Sequence, residues 1–507
     1  MTIGSVVRNL EKALPMPGLA ATGVSETALK IPVAGIVYDS RKVNPGSVFV
    51  ALRGMKSDGR MFADQAIAAG AVAVVAEQAP EKAVSVPWIV VSNTRVALAC
   101  LATEYHGHPS SQLTVVGITG TNGKTTTSYL LSKVFEAAGY RCGLMGTVTY
   151  RIGGREFSST RTTPEAPDLQ GFLGEMVRKG CDACAMEVSS HALALHRVSG
   201  TRFSAGVFTN LGRDHLDFHL TMEAYFSAKK RLFEMLPNDA PAAVNIDDPR
   251  GSSIVELVQR PVTYAIDRPA DVTPGPITSS LEGLSFNAQS PQGVVRVRSK
   301  LLGRANVYNL LSVVGTATAL GLPRNAVEQG IESMTGVPGR FESVSSFDDD
   351  IPVFVDYAHT DDALRHLLET ARPLTSQRLI TVFGCGGGRD RTKRPLMGMV
   401  AARLSDLVVI TSDNPRNDKP VQIIEEVVRG AQAEVDMTGV EIVTIVDRKE
   451  AIHEAVKRAQ PGDIVVITGK GHEKFQEIND HLIPFDDVLV AREALTKRRG
   501  AGLGRLK

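Results

Sequence analysis

Cysteine, aromatic side chains, surplus charge and long apolar runs are all scarce in this chain, and each scarcity removes a class of function. The five cysteines are scattered and odd in number among 507 residues, so no disulfide framework is expected and a reducing cytoplasm is the natural home. Cys181 and Cys184 form a C-x-x-C, but inside the apolar stretch GCDACAMEV and without a second pair, so they read as buried thiols rather than a metal or redox site. Aromatics are 5% of residues, too few to build a stacking platform for single-stranded nucleic acid. Lys and Arg number 56 against 55 Asp and Glu, a net charge of +1, so no nucleic-acid-binding face is expected. No run of about 18 apolar residues occurs, so no membrane span is expected. The opening MTIGSVVRNLEKALPMPG mixes charge signs and has no apolar core, unlike a signal peptide.

What is present is organised around LTVVGITGTNGKTTT, residues 113 to 127. A β-branched run predicts a buried strand. It passes through Gly120-Thr121-Asn122-Gly123-Lys124-Thr125-Thr126 into the helix-like SYLLSKVFEAAG. Strand, glycine turn, Lys-Thr and helix is the arrangement that holds a nucleotide triphosphate. Gly120 and Gly123 let the backbone approach phosphate oxygens, and the helix N-terminus turns N–H groups toward the anion. Lys124 would reach the outer phosphates and Thr125 would ligate Mg²⁺. The general phosphate-loop pattern has glycine where this chain has Ile118, so the shorter TGTNGKTT stands by itself.

The length predicts about three domains. Residues 1–108 read as a small N-terminal α/β domain, with His106 to Ser110 as linker. Residues 109–337 read as a central P-loop-type ATPase domain with a mostly parallel sheet, because strand and helix patterns alternate after the phosphate loop. Residues 338–507 read as a doubly wound, Rossmann-like C-terminal domain built on IPVFVDYA, RLITVFG, DLVVIT and DIVVIT. The fold class is therefore α/β throughout. About 271 to 300 reads as a turn-rich β region, and Gly303 to Asn309 opens a helix.

Polar clusters past strand ends are where open α/β sheets bind ligands. Glu187 ends DACAMEV, and His215 lies in LGRDHLDFH past FSAGVFTN, so both are placed to reach a metal beside the phosphate loop. Lys229 falls in the middle of the apolar face of EAYFSAKKRLFEML. Such a lysine can snorkel, find a buried partner, or stay a neutral amine available for chemistry; the sequence alone favours snorkelling. In the C-terminal domain the polar loops are Asp356 to His359, Gly384 to Asp390, Ser412 to Asn417 and Gly469 to Glu473. Four such loops past one sheet point to a composite site, with Asp413, Asn414, Pro415 and Gly469 in it; the two guanidinium groups of Arg389 and Arg416 and the carboxylate of Glu473 suit a ligand bearing a carboxylate and an ammonium at its far end.

TGTNGKTT, EVSSHAL, NLGRDHLDFH, SAKKRLF, GRANVYN, PGRFE, DYAH, GCGGGRD, DNPR and GKGHE occur in this order, and the chain thereby resembles the Mur ligase family, which builds the peptidoglycan stem peptide. The branch it resembles most adds meso-diaminopimelate to UDP-N-acetylmuramoyl-L-alanyl-D-glutamate. The resemblance implies ATP, Mg²⁺ and carbon dioxide held as a carbamate on Lys229, with Glu187 and His215 as magnesium ligands. It implies ATP contacts at Asn306, Arg340, Asp356 and His359. It implies contacts to the UDP-muramoyl peptide at Thr162, Thr163, Ser189 and Arg197, and to its uridine end at Ser40. Leu195 and Asp361 depart from residues frequent in the family. A monomeric ligase is expected. The alternatives are the same reaction with L-lysine, a folylpolyglutamate synthase, or a nucleotide-gated switch that makes no bond.

Overall fold

The computed structural model describes residues 1–14, 21–22, 25–54, 57–388 and 390–503. The chain divides into two compact units. One comprises Met1–Pro274, Ala288–Val295 and Tyr308–Ile331, and the other Gly275–Asn287, Arg296–Val307 and Glu332–Lys507. Three α/β layers are built along the chain, each around its own sheet.

The first unit holds two of these sheets. In the smaller, Gly35–Val37, Ser47–Val50, Ala73–Ala76 and Trp88–Val90 run parallel, and Ala21–Thr22 is added antiparallel at one edge. The larger sheet runs in the spatial order Arg260–Tyr264, Pro241–Asn245, Ala205–Phe208, Thr114–Thr119, Ala183–Glu187, Cys142–Met145, Thr149–Ile152 and Arg155–Ser158. The first six are parallel. The last two are antiparallel, so the sheet is mostly parallel, as expected, with an antiparallel meander at one edge. Arg155–Ser158 is exposed along its whole length and places the charged Arg155 and Glu156 on the edge strand, a device that discourages pairing with other chains. Residues 109–112 form a 3₁₀ turn where a plain linker was expected.

The phosphate-loop strand Thr114–Thr119 lies in the centre. Its successors were laid down on both sides of it, so its C-terminal end is a topological switch point, where α/β sheets bind ligands. Val115, Val116 and Ile118 are completely buried, as a central parallel strand covered on both faces requires.

The second unit carries a sheet in the order Glu342–Ser343, Val353–Asp356, Ile464–Thr468, Leu379–Phe383, Leu407–Ile410 and Glu441–Thr444, parallel except for the first strand. The four apolar runs supply its four middle strands. Glu441–Thr444 escaped the sequence reading because it is only partly buried and lacks a continuous apolar run. A two-stranded hairpin, Phe475–Ile478 with His481–Pro484, stands apart from that sheet. Its two-residue turn is Asn479-Asp480, both at positive φ, a conformation that Asn and Asp accept more readily than other side chains do. No helix among the described residues is long and apolar enough to cross a membrane.

Candidate active site

The phosphate loop is held open by its neighbour strand. Asn210 accepts from Thr121 N through its backbone oxygen (2.9 Å) and from Asn122 N through Oδ1 (2.9 Å). The Thr209 hydroxyl donates to Asn122 O at 2.6 Å. Gly120 has φ 151° and Gly123 φ 87°, conformations that favour glycine. A Cβ on Gly120 would overlap Thr209 Oγ1, and one on Gly123 would overlap Asn309 Oδ1. Gly123 is the N-cap of the helix Lys124–Ala137, and Thr125 and Thr126 are buried in its first turn.

Two lysines converge on this loop. Lys124 Nζ donates to Gly120 O at 2.9 Å and to Thr121 O at 2.8 Å. Lys229, 105 positions later in sequence, donates to the same Gly120 O at 2.6 Å. Lys229 is 1% exposed, so it does not snorkel; its Nζ lies 4.4 Å from the centre of the Tyr225 ring. Burial, reinforced by the nearby charge of Lys124, holds its pKa well below the ordinary lysine value, against a weaker pull from Asp214. It is a neutral-amine candidate for the reason the apolar face suggested: desolvation disfavours the cation.

His215, at φ 52°, sits at the start of the short helix Leu216–His219. Burial lowers its pKa, Asp214 raises it, and Lys124 and Lys229 lower it again, so the imidazole is biased toward the neutral form that can bind a metal. Its Nε2 lies 3.3 Å from Asp214 Oδ2.

Glu187 is 1% exposed at the end of the strand beside the phosphate-loop strand. Its Oε1 accepts from Thr147 N (2.8 Å) and its Oε2 from the Thr147 hydroxyl (3.0 Å). It makes no ion pair with any described residue. A carboxylate buried with only neutral donors is costly until a cation joins it, and this is the observation that fits Mg²⁺ here. Of the other candidate donors, the Thr125 hydroxyl suits a hard cation that completes its shell with phosphate oxygens and water, whereas an imidazole nitrogen is a less usual ligand for it. No three His, Cys, Asp or Glu side chains among the described residues make a ready metal cage by themselves.

The substrate candidates of this unit form one connected cluster with Glu187. Thr162 Oγ1 lies 3.1 Å from Thr147 Oγ1. The Thr163 hydroxyl donates to Glu187 O (2.9 Å) and accepts from Ser189 N (3.1 Å). Arg197 donates to Thr163 O at 3.3 Å and pairs with Glu165 at 2.9 Å. Ser40 stands outside this cluster and donates to Gln65 Oε1 at 3.0 Å. Thr147, Thr209, Asn210 and Tyr225 are the participants the sequence reading missed. They are ordinary strand-end and helix residues, and only the register shows what they hold.

In the second unit, Asp356 accepts from Phe341 N and Ala358 N, both at 2.7 Å, and burial raises its pKa despite Arg340. The Arg340 guanidinium lies 4.8 Å from the Tyr357 ring centre, and the His472 and His359 rings lie 4.9 and 4.7 Å from it. Arg340, Asp356 and His359 are thus gathered around Tyr357. Asn306 donates to Leu302 O at 2.8 Å.

The acceptor candidates gather past neighbouring strands of the same unit. Glu473 Oε2 accepts from Asn414 Nδ2 (2.9 Å) and from the fully buried Lys470 Nζ (3.0 Å). Lys470 also donates to Asn414 Oδ1 at 2.9 Å. Gly469 lacks the Cβ that would overlap Asp413 Oδ2, and Gly387 lacks one that would overlap Pro415 O. Arg416, at φ 50°, pairs with Glu477 at 2.8 Å and donates to Gly387 O at 2.8 Å. It therefore pairs with neither Asp413 nor Asp418; Asp418 is taken by the buried Arg394 at 2.8 Å. Arg389 lies outside the described residues.

Three family models match: "Mur ligase family, catalytic domain" over residues 32–106, "Mur ligase middle domain" over 118–317 and "Mur ligase, glutamate ligase domain" over 339–471. A protein of Gloeobacter violaceus named UDP-N-acetylmuramoyl-L-alanyl-D-glutamate–2,6-diaminopimelate ligase is 46% identical over 96% of this chain and 98% of its own. One of the same name from Solibacter usitatus is 45% identical over 98% of each chain. A solved structure with that name in its title superimposes with a TM-score of 0.70 at 35% identity, covering 96% of this chain and 99% of the other. With three family models in order and relatives matching along nearly its whole length, the chain belongs to the Mur ligase family.

Proposed function

We propose that this chain is an ATP-dependent amide ligase that adds meso-diaminopimelate to UDP-N-acetylmuramoyl-L-alanyl-D-glutamate in peptidoglycan precursor synthesis. The observation that carries the reading is the meeting of Lys124 and Lys229 on the single carbonyl of Gly120. A switch that only binds and hydrolyses ATP has no use for a second, desolvated amine at its phosphate loop. The names of the relatives support the choice of substrates.

A carboxylate does not condense with an amine in water until one of its oxygens becomes a leaving group. The γ-phosphoryl of ATP passes to the D-glutamate γ-carboxylate, giving an acyl phosphate and ADP; the incoming amine attacks the acyl carbon and phosphate leaves. Lys124 offsets charge where two anions meet, and the Gly120 to Thr126 backbone cradles the phosphates. Bound Mg²⁺ supplies further charge neutralisation, and Thr125, Glu187, His215 and Lys229 are the residues that would hold it. For this, the neutral Lys229 amine adds carbon dioxide, forming an N–C bond and releasing a proton, and so becomes a carboxylate-like carbamate. Thr162, Thr163, Ser189 and Arg197 hold the muramoyl dipeptide and Ser40 its uridine end. Asn306, Arg340, Asp356 and His359 contact ATP. Residues 1–108, 109–337 and 338–507 are the corresponding domains. Both main substrates carry nucleotides, so a cytoplasmic location is part of the proposal.

Arg416 selects the acceptor's far-end carboxylate, and Glu473 its ammonium. L-Lysine lacks that carboxylate and would leave Arg416 without its ligand, a loss that such sites convert into discrimination of roughly 10⁴-fold. The test is phosphate release with a panel of amino acids. Release should require ATP, the UDP-muramoyl dipeptide and meso-diaminopimelate together. Turnover of ATP without an amino acid, or comparable kcat/KM for diaminopimelate and L-lysine, would overturn the reading.

A further inference from the structure

Arg416 is a non-glycine residue in the left-handed region, a conformation that the surrounding structure must enforce. The enforcement comes from the hairpin Phe475–Ile478/His481–Pro484. Arg416 N donates to Glu477 O at 2.9 Å, Asn479 N donates to Arg416 O at 2.9 Å, and Glu477 N donates to Asn414 Oδ1 at 3.0 Å. These bonds lay the loop after Leu407–Ile410 alongside the hairpin as a short parallel bridge between Arg416 and Ile478. The side chain of Glu477 then reaches Arg416, with Oε2 2.8 Å from Nε. Nη1 is taken by Gly387 O, while Nη2 makes no hydrogen bond to any described residue.

The guanidinium is thus gripped at two of its corners, on one side by a loop of the sheet and on the other by the hairpin. A free arginine gives up substantial rotamer freedom when it binds, and pre-setting it removes that penalty. Both partners of the ion pair are about one-quarter exposed at the side chain, so as a plain surface ion pair Glu477 would add little stability. Its effect lies in the direction in which Arg416 points.

We infer that Glu477, presented by the hairpin, is a positioning residue that aims the Arg416 guanidinium at the far-end carboxylate of the acceptor amino acid and so helps set acceptor specificity. The inference rests on the reading of Arg416 given above. The backbone bonds of Glu477 do not involve its side chain, so shortening it leaves the bridge to Arg416 in place. Glu477→Gln keeps the length and shape of the side chain and removes only the charge.

The experiment compares KM and kcat for meso-diaminopimelate and L-lysine in the wild type, Glu477→Ala, Glu477→Gln and Arg416→Ala. With Glu477→Ala the KM for diaminopimelate should rise about three- to tenfold, the range expected for un-setting one arginine. The KM values for ATP and the UDP-muramoyl dipeptide, the kcat at saturation and the weak reaction with L-lysine should stay within about twofold. Glu477→Gln should recover part of the loss. A merely structural role would move all substrates together, and that result overturns the inference, as does an unchanged or lowered KM for diaminopimelate. If Arg416→Ala keeps full discrimination, the reading of the acceptor site fails instead; if Arg416→Ala loses discrimination while Glu477→Ala keeps it, only the role of Glu477 fails.

Discussion

Replacing Lys229 by methionine should make the protein more stable and inactive at once. The buried amine has a pKa held well below the ordinary lysine value of 10.5. In the unfolded chain the same lysine titrates normally. Between its folded-state pKa and 10.5 the unfolded state therefore binds the extra proton, and wild-type stability rises with pH across that window and is flat above it. At pH 8, if the folded amine is fully neutral, this linkage costs the wild type about 3 kcal/mol. Methionine matches the length of the buried stem and carries no proton. It forfeits the 2.6 Å bond to Gly120 O, worth about 1 kcal/mol, but that carbonyl is not orphaned, because Lys124 still donates to it. The variant should be about 2 kcal/mol more stable at pH 8, with the gap closing and reversing by about 1 kcal/mol above pH 10.5. Urea denaturation of both proteins from pH 7 to 11, in buffer stripped of carbon dioxide, measures the difference directly. Added bicarbonate should stabilise the wild type more than the variant, because the folded, neutral Lys229 amine can take up carbon dioxide whereas the same lysine in the unfolded chain is largely protonated at pH 8. A gap that does not change with pH, or a variant less stable than the wild type at pH 8, would refute the reasoning.

Lys124→Ala should abolish acyl phosphate formation by removing the charge that counters the outer phosphates; positional isotope exchange in ATP with the dipeptide substrate isolates that step, and wild-type exchange in the variant would reject the assignment. Gly120→Ala should fold poorly or lose binding of a non-hydrolysable ATP analogue, because its φ of 151° and the overlap with Thr209 Oγ1 both oppose a side chain; titration calorimetry with unchanged affinity would count against the loop geometry. Arg448 and Asp487 form a completely buried ion pair at 2.7 Å, and Arg448 also donates to Thr468 O at 2.9 Å. Arg448→Met should therefore cost about 3–5 kcal/mol by stranding the carboxylate, and Arg448→Met with Asp487→Leu together should recover much of it. In urea denaturation, a double variant no better than the single would contradict that.

Much of this molecule was legible before its structure. The phosphate loop could be read because its chemistry is local: two glycines, a lysine and a threonine must follow one strand and open one helix, and all lie within Gly120 to Thr125. The apolar C-terminal runs could be read because parallel strands buried on both faces leave no room for polar residues. The placement of Glu187 and His215 past strand ends followed from the same rule, and the ordered motifs disclosed the family. What the sequence could not decide was every property set by neighbours distant along the chain. The apolar face around Lys229 allowed snorkelling, a buried partner or a neutral amine; the packing that buries its Nζ against Gly120 and Tyr225 removed the first of these. That Glu187 is held by Thr147 and makes no ion pair with any described residue, and that Arg416 is aimed by Glu477, depends on which strands and loops become neighbours. Local propensity specifies an element from the residues within it, whereas a buried charge takes its pKa and its partners from whichever elements the fold brings around it.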